Sequence, residues 1–246
     1  MTSRIDRRQA LSAFGTVGLG ALLSACGAGS SDDTTPTAVP TEEGATATVE
    51  PRSTTSPEAA DLFGDSSSCT LTAEQTEGPY YFDADSIRSD IREDREGTPL
   101  RLAVRVRDAG ACEPLANAVV DIWHCDAGGV YSGFEEGEGE RFLRGAQVTN
   151  REGIVEFTTV YPGWYQGRTV HIHAKVHLDR STVLTTQLYF DDAVTDEVYA
   201  AEPYASSGDR DQRNDTDGIF DRSLVLNLSP DGDGYVGAIS FDVASA

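Results

Sequence analysis

Strict alternation of apolar and polar side chains between residues 170 and 178 is the feature that most constrains this fold. Successive side chains of a β-strand point to opposite faces, so a repeat of two predicts a strand with one buried face. The apolar positions are Val170, Ile172, Ala174, Val176 and Leu178, and the positions between them are His171, His173, Lys175 and His177.

Short segments of the same kind recur through residues 68–246, separated by turns rich in Gly, Asp and Pro. They predict strands over Leu100–Val106, Ala118–Trp123, Ile154–Val160, Leu184–Phe190, Leu224–Leu228 and Val236–Val243. A short helix is predicted over Thr195–Ala201, with Thr195 as its N-cap. The pattern predicts one all-β domain over residues 68–246, a β-sandwich of short, mostly antiparallel strands with long loops.

Residues 1–26 have the pattern of an export signal. Basic residues precede an uncharged run, residues 10–23, that is too short to span a bilayer. Arg7-Arg8 resembles a twin-arginine signal, and Leu23–Cys26 resembles a bacterial lipobox, in which Cys26 is lipidated. The alternative is a Sec-type signal cut nearby, with Cys26 incidental. We expect an exported protein, lipid-anchored at the outer face of the cell membrane.

Residues 27–67 have a different composition from the domain. They are Ser, Thr, Pro, Ala, Gly and acidic residues, with hardly a large apolar side chain before Leu62-Phe63. Such a segment buries too little apolar surface to offset its ordering entropy. The composition predicts a disordered tether between the signal and the domain.

The charge balance excludes a polyanionic partner. There are 41 acidic and 19 basic side chains, which gives a formal net charge of -22. Nucleic-acid binding needs a basic surface, and an acidic protein is repelled by anionic lipid head groups. We therefore expect no nucleic-acid partner, and membrane contact only through an acyl anchor at Cys26. The sequence leaves the oligomeric state open and allows a homo-oligomer.

Three cysteines remain once Cys26 is assigned to a lipid: Cys69, Cys112 and Cys125. An exported domain with three cysteines favours one disulfide and one thiol. We favour the pair Cys69–Cys112, because both lie beside loops. Cys125 would then be a thiol at a strand end.

The polar face of the alternating strand suggests a metal site. His171 and His173 lie two residues apart on one face, close enough to share an ion. With His177, three imidazoles would suit Zn or Cu. A phenolate from Tyr165, across the turn at Gly167, would select a harder ion such as Fe(III). The alternative is an amphipathic strand whose polar face happens to carry histidine.

Four blocks of sequence resemble the intradiol ring-cleavage dioxygenases, the family of catechol and protocatechuate dioxygenases. The blocks are residues 76–81, 120–131, 162–173 and 186–190, and the similarity covers nearly all of residues 69–243. It is greatest to exported, single-chain members. The resemblance implies a non-haem Fe(III) ion whose ligands are Tyr131, Tyr165, His171 and His173.

The same resemblance implies roles for other residues. Tyr165 would be the axial phenolate that leaves iron when substrate binds, while the other tyrosine stays bound. Arg168 would face the substrate ring and stabilise negative charge on it. Gln187 matches a polar residue near the site. Pro79 and Tyr80 match positions that wall the substrate pocket.

The implied activity is O2-dependent intradiol cleavage of a catechol-type aromatic diol to a muconate-type diacid, a step of aromatic-compound catabolism. Plain, alkyl-, hydroxy- and chloro-substituted catechols and plant-derived phenolics all remain open as substrates. The alternative is a non-catalytic exported lipoprotein that uses the same scaffold to bind aromatics or a metal such as Zn or Cu.

Three further features are given no chemical role. Trp123 is assigned to the core. The His124 side chain points to the opposite side of the strand from Trp123. The acidic stretches Asp215–Gly218 and Asp231–Gly234 lack the distal Glu of a calcium loop and are interpreted as turns.

Overall fold

A computed structural model describes residues 37–40, 46–49, 55–64, 69–84, 86–178 and 181–245. The export signal predicted at residues 1–26, with Cys26, lies outside these ranges, as does most of the predicted tether. Within them, strands β1 (Thr37–Pro40) and β2 (Thr46–Val49) pair as a two-stranded antiparallel ribbon. No helix in the described ranges has the length and apolar character that crossing a bilayer requires.

Two four-stranded sheets form the sandwich. The first contains, in order, β6 (Ile154–Val160), β3 (Pro99–Asp108), β10 (Gly234–Val243) and β9 (Asn227–Asp231). The second contains β5 (Arg144–Val148), β4 (Val119–Trp123), β7 (His171–Leu178) and β8 (Ser181–Tyr189). Every pair is antiparallel except β10 with β3. The predicted all-β sandwich of mostly antiparallel strands is confirmed.

The core lies between the two sheets and takes alternate residues from both. Its fully buried members include Leu100, Leu102, Val104, Val120, Ile122, Ile172, Ala174, Val176 and Phe241. Burying a side chain of this size stabilises the fold by roughly 1.5–3 kcal/mol. The apolar face predicted for β7 is therefore the face that meets the other sheet.

The opposite face of β7 is also buried. Near the start of the strand, His171 is 2% exposed, His173 is 1% exposed and Lys175 is 7% exposed. The segment 69–84, which has no helix or strand, covers this face. One attachment is the Gln75 backbone N–H, which donates to the Thr185 carbonyl of β8 at 2.8 Å. The histidines thus lie in an enclosed layer, away from bulk water.

The covering segment begins at a disulfide. Cys69 is bonded to Cys112, as predicted, and Cys125 is a buried free thiol just after β4.

Packing against the domain begins earlier in the chain than composition suggests. The helix α1 (Pro57–Leu62) lies within the segment predicted as a disordered tether. Its Ala59 and the following Phe63 are buried against apolar residues of the first sheet, and the Ser56 N–H donates to Glu156 Oε1 at 2.6 Å. Two apolar side chains in a polar stretch are enough to order a short helix when the face of a sheet receives them. The structure therefore places residues 55–64 with the domain.

The second helix begins before its predicted start. Helix α2 is Asp192–Tyr199, and Asp191 is its N-cap, accepting from the Ala193 N–H at 2.8 Å. The predicted cap, Thr195, is instead inside the helix, where its hydroxyl donates to the Asp191 carbonyl at 3.0 Å. The N-cap assignment to Thr195 is wrong because an acceptor of equal capping strength lies four residues earlier.

Two strands differ from expectation. β5 was not predicted, because its sequence Arg-Gly-Ala-Gln-Val does not alternate. The strand predicted at Leu224–Leu228 is a 3₁₀ helix, Arg222–Leu224, followed by β9, which runs through Pro230. Proline is tolerated there because β9 is at the edge of its sheet.

Candidate functional site

The four residues predicted as metal ligands converge on one point of the second sheet. Tyr165 Oη lies 3.0 Å from His171 Nε2, and that nitrogen lies 3.1 Å from His173 Nε2. The ring of Tyr131 is 5.6 Å from the Tyr165 ring and 6.2 Å from the His173 ring, centroid to centroid. Residues from three separate stretches of sequence therefore form a single cluster.

Two turns bring the tyrosines to the histidine strand. Tyr131 ends a turn in which Asp126 Oδ1 accepts from the Gly128 and Val130 N–H groups at 2.9 and 3.0 Å. The turn before Tyr165 rests on it through Gly163, whose N–H donates to the Asp126 carbonyl at 3.0 Å. A Cβ atom on Gly163 would lie 2.4 Å from that carbonyl oxygen, so only glycine allows this approach.

Hydrogen bonding prepares His171 to bind a cation. Its Nδ1 is 2.7 Å from the Thr169 carbonyl, which can only accept, so Nδ1 carries the proton and Nε2 keeps its lone pair. Burial, helped by the charge of Arg168, lowers the pKa of His171 to about 3. Burial also lowers the pKa of His173 well below its usual value, so both rings are neutral.

Trp123 supports the second histidine. Its indole stacks on the His173 ring, with centroids 4.9 Å apart and planes 6° from parallel. The two residues face each other in the β4–β7 register. Trp123 is therefore a core residue, and it also fixes the plane of the His173 ring.

The phenols remain protonated in this environment unless a cation replaces their protons. Burial raises the pKa of Tyr131 well above 10 and that of Tyr165 to about 12, although the charge of Arg168 acts to lower the latter. Tyr131 is 4% exposed, and its hydroxyl has no hydrogen-bond partner within the described chain. Leaving such a group unsatisfied costs about 1–3 kcal/mol, a cost that a metal ligand would not incur.

The donor atoms fit a ferric ion. Two atoms that each lie about 2.1 Å from one ion, at right angles, are about 3 Å apart, and His171 Nε2 has this spacing from both Tyr165 Oη and His173 Nε2. Imidazole nitrogen suits iron, and a phenol loses its proton only to a strong Lewis acid. Two imidazoles and two phenols are thus a reasonable ligand set for Fe(III).

The alternative site made of three histidines is not assembled. His177 is four residues beyond His173, roughly 13 Å along the strand, and its Nδ1 bonds to Thr182 Oγ1 at 3.1 Å. Among the residues that the structure describes, no three His, Cys, Asp or Glu side chains are grouped as a metal site.

Arg168 belongs to a network beside the cluster and is not a surface cation. Its Nε donates to Asp217 Oδ2 at 2.9 Å and its Nη2 to Gln187 Oε1 at 2.7 Å. Gln187 is fully buried on β8, and its Nε2 donates to the Thr76 carbonyl of the covering segment at 2.9 Å. The structure therefore brings both residues, predicted as neighbours of the site, into direct contact.

Sequence reasoning missed Asp217, which it interpreted as part of an acidic turn. The carboxylate is buried and also accepts from the Thr169 and Ile219 N–H groups at 2.8 and 3.0 Å. Burial acts to raise its pKa, but these two amides and Arg168 outweigh burial and lower it, so Asp217 is ionised. No local signal marks it, because an Asp-Gly turn looks the same whether or not it reaches a distant arginine.

The two pocket-wall predictions differ in outcome. Tyr80 lies on the cluster: its ring stacks on Tyr131 at 4.5 Å and meets Tyr165 edge-on at 6.0 Å. Pro79 is exposed, and its role stays a prediction. The preceding Gly78 has a φ of +73°, and a Cβ there would lie 3.2 Å from His173 Cε1, so glycine lets the covering segment pass close to the imidazole.

Comparisons with known proteins show what this chain is similar to. Residues 76–228 match the family model described as Dioxygenase. An intradiol ring-cleavage dioxygenase from Tetranychus urticae superposes with a TM-score of 0.69 at 34% identity, covering 72% of this chain and 95% of that one. The dioxygenase domain of a carbohydrate-binding fusion protein from Streptomyces sp. SirexAA-E gives 0.58 at 34% identity, covering 72% and 100%.

A chlorocatechol 1,2-dioxygenase from Pseudomonas putida is 30% identical over 143 residues, which are 49% of this chain. The match spans 54% of that relative's length. The matched family region contains all four residues of the cluster together with Arg168 and Gln187. The chain belongs to the intradiol ring-cleavage dioxygenase family.

Proposed function

We propose that this domain cleaves a catechol-type aromatic diol between its two hydroxylated carbons, with non-haem Fe(III) and O2, to give a muconate-type diacid. The observation that carries the proposal is the approach of Tyr165 Oη, His171 Nε2 and His173 Nε2 to about 3 Å spacing beside Tyr131. Relatives named chlorocatechol and catechol 1,2-dioxygenase support the substrate class.

Tyr131, Tyr165, His171 and His173 would hold the metal. Bound ferric iron would supply Lewis-acid activation of a catecholate for reaction with O2. The protein contributes two neutral imidazoles whose Nε2 atoms face inward and two phenols that lose their protons to the metal.

Tyr165 is suited to accept a proton from the substrate. Its side chain is half-buried, whereas Tyr131 is almost fully enclosed, so Tyr165 is the tyrosine that can move. Away from the metal its pKa is about 12, so a released Tyr165 phenolate is a strong base toward a catechol hydroxyl bound beside it. The second hydroxyl proton would pass to water.

Arg168 would stabilise the negative charge that the ring acquires. Its guanidinium is held by Asp217 and Gln187, next to the cluster. Hydrogen-bond donation from a guanidinium that is fixed in a site with little water has a larger effect than the same donation at the surface. The rings of Tyr80 and Tyr131 give the site an aromatic wall that excludes water from the reacting ring.

From the N-terminal sequence alone, we also propose export through a twin-arginine-type signal and a lipid anchor at Cys26. Incorporation of labelled palmitate into the wild type, and its loss in Cys26→Ser, would test the anchor. A labelled Cys26→Ser protein would contradict it.

The first test combines colour, metal content and oxygen uptake. Protein purified with iron should carry about one Fe per chain, absorb visible light through tyrosinate-to-iron charge transfer, and consume O2 with catechol. Tyr131→Phe should lose most of the colour and iron. Tyr165→Phe should keep more iron, shift the band and lower kcat by at least tenfold.

Tyr235→Phe is the matched control, because Tyr235 packs at the far sheet, and it should change neither colour nor rate. A colourless iron-free protein would contradict the proposal. So would a coloured protein that consumes no O2 with any catechol, which would indicate a binding module. If Tyr165→Phe leaves the colour and rate unchanged, the axial assignment is wrong.

A further inference from the structure

Asp217 reaches the site from a distant loop and makes three contacts there. Its side chain is 2% exposed. Oδ2 accepts from Arg168 Nε at 2.9 Å and from the Thr169 N–H at 2.8 Å, while Oδ1 accepts from the Ile219 N–H. A carboxylate in this position affects both the orientation and the charge of the arginine that faces the substrate.

Orientation follows from where the bonds lie on the guanidinium. Asp217 accepts from Nε, and Gln187 at 2.7 Å and Tyr189 at 3.4 Å accept from Nη2. Gln187 is fixed in turn by the Thr76 carbonyl. The guanidinium is therefore held through two of its nitrogens, and Asp217 is the only charged partner among the described residues.

Asp217 also reduces the effective charge of Arg168, because the two side chains are close together and buried. With side-chain exposures of 19% and 2%, Arg168 and Asp217 are poorly screened by water, so at 2.9 Å the carboxylate cancels much of the arginine's field. A neutralised arginine can still donate hydrogen bonds to an oxygen, but it attracts an anion less strongly.

The other cations beside the cluster are also engaged. Lys175 pairs with Glu77 and lies over the Tyr81 ring at 3.5 Å. Arg144 is buried and donates to Ser132 through Nε and Nη2. Lys175 is therefore paired with a carboxylate, whereas Arg144 contacts neutral groups, the Ser132 oxygens and the Phe82 ring at 4.3 Å.

The nearest surface turn adds acid. Phe134 contacts the Tyr80 ring at 5.4 Å, and the turn that follows it carries exposed carboxylates. They are Glu135, Glu136, Glu138 and Glu140. An anionic substituent on the substrate that approached this turn would meet like charges.

We propose that Asp217 is a positioning residue that both orients and neutralises Arg168, so that the site favours catechol rings without an anionic substituent. The inference rests on the proposed function and narrows its substrate class. Removing the carboxylate charge frees the field of Arg168, which moves the preference toward carboxylated catechols and leaves the arginine less well oriented.

The test measures binding and turnover of two probes, catechol and 3,4-dihydroxybenzoate, at low ionic strength. Wild type should bind catechol more tightly. In Asp217→Asn, which keeps an oxygen for the Thr169 N–H, the Kd ratio should move toward the carboxylate by about tenfold or more, because one unit of charge is removed beside Arg168. Its kcat with catechol should fall at least tenfold while KM for catechol changes less than threefold.

Three comparisons separate this role from a merely structural one. Asp217→Glu keeps the charge and should keep the wild-type Kd ratio. Asp215→Asn removes one charge from the same loop at an exposed position and should change neither the ratio nor the rate. Iron content and the visible band of Asp217→Asn should match the wild type. Asp217→Ser provides the same neutral test should Asp217→Asn fail to fold.

An unchanged Kd ratio in a folded, iron-loaded Asp217→Asn protein would overturn the inference. An equal shift in Asp215→Asn would also overturn it, because the effect would then be general surface charge. The Kd ratio can be measured without turnover. A wild type that binds catechol without consuming O2 would therefore contradict the proposed function, and the Kd ratio would still decide the role of Asp217.

Discussion

Buried imidazoles in this protein have different roles that depend on their partners. His124 is fully buried, and both ring nitrogens are satisfied, one by the Cys125 carbonyl at 2.8 Å and one by Thr159 Oγ1 at 2.7 Å. His171 is buried as well, but only Nδ1 is bonded to the backbone, and Nε2 faces the cluster. His124 therefore has no free lone pair with which to bind a ligand. This explains why it has no chemical role.

The buried state of His124 predicts a pH-dependent stability. Burial lowers its pKa to about 4 in the folded protein, against about 6.5 when unfolded. Between these values the unfolded chain binds more protons, so stability is full above pH 6.5 and falls as pH drops to 4, by roughly 3 kcal/mol in total. His124→Gln removes this contribution and should make the curve of unfolding free energy against pH less steep, while His171 and His173, whose pKa values burial also lowers, keep part of the slope.

Urea unfolding of metal-free protein between pH 4.5 and 7.5 would measure this slope, using wild type and variant under the same conditions. His177→Gln is the control, because His177 is only half-buried and burial lowers its pKa as well, so its curve should change in the same direction as that of His124→Gln but by less. Parallel curves for wild type and His124→Gln would show that His124 contributes nothing to acid sensitivity.

Sequence patterns predict the strands whose apolar and polar side chains alternate, and they miss the elements without such alternation. Alternation located most strands of both sheets, including all of β6, whereas β5 has no alternation to detect. The covering segment 69–84 buries the histidine face without forming a helix or strand. Its contacts depend on the Thr185 carbonyl and the Thr186 hydroxyl of β8, over a hundred residues later, and local sequence carries no sign of that pairing. Only the family resemblance of residues 76–81 indicated that this segment approaches the site.

The covering segment also predicts an effect of its disulfide. Cys69–Cys112 closes a loop of 43 residues, and next to it Thr70 and Thr72 exchange hydrogen bonds with Asp242. A cross-link over a loop of this length stabilises by about 2–4 kcal/mol, mainly by restricting the unfolded chain. Cys69→Ser/Cys112→Ser should lose that amount of unfolding free energy in urea and release bound iron faster to a chelator.

Wild type treated with a reductant should behave like the double variant, which provides an internal control for the serine substitutions. If the double variant matches the oxidised wild type in both stability and iron release, the disulfide holds neither the fold nor the covering segment.

The sequence predicts two packed sheets, but it does not predict that the outer face of the second sheet is covered. The alternating strands imply two sheets with one core, and the polar face of β7 would then face water. The structure instead buries it, because residues 69–84 supply a third layer that hydrogen-bonds to the exposed edge groups of β8. Enclosure is what lowers the pKa of the histidines and raises that of the tyrosines, so the chemistry of the site depends on a layer that composition does not reveal.

The net charge of -22 makes a final prediction about the folded state as a whole. An excess of like charges destabilises a folded domain through self-repulsion, which salt screens. The Debye length falls from about 30 Å at 0.01 M to about 8 Å at 0.15 M, so repulsion across the molecule weakens, while a buried pair such as Arg168–Asp217 is little affected. Thermal unfolding at pH 7 should therefore shift upward by several degrees as NaCl is raised over this range. Near the isoelectric point of about 4.3 the shift should vanish, because the net charge is then close to zero. A Tm that falls with salt at pH 7 would mean that attractive surface ion pairs outweigh the general repulsion.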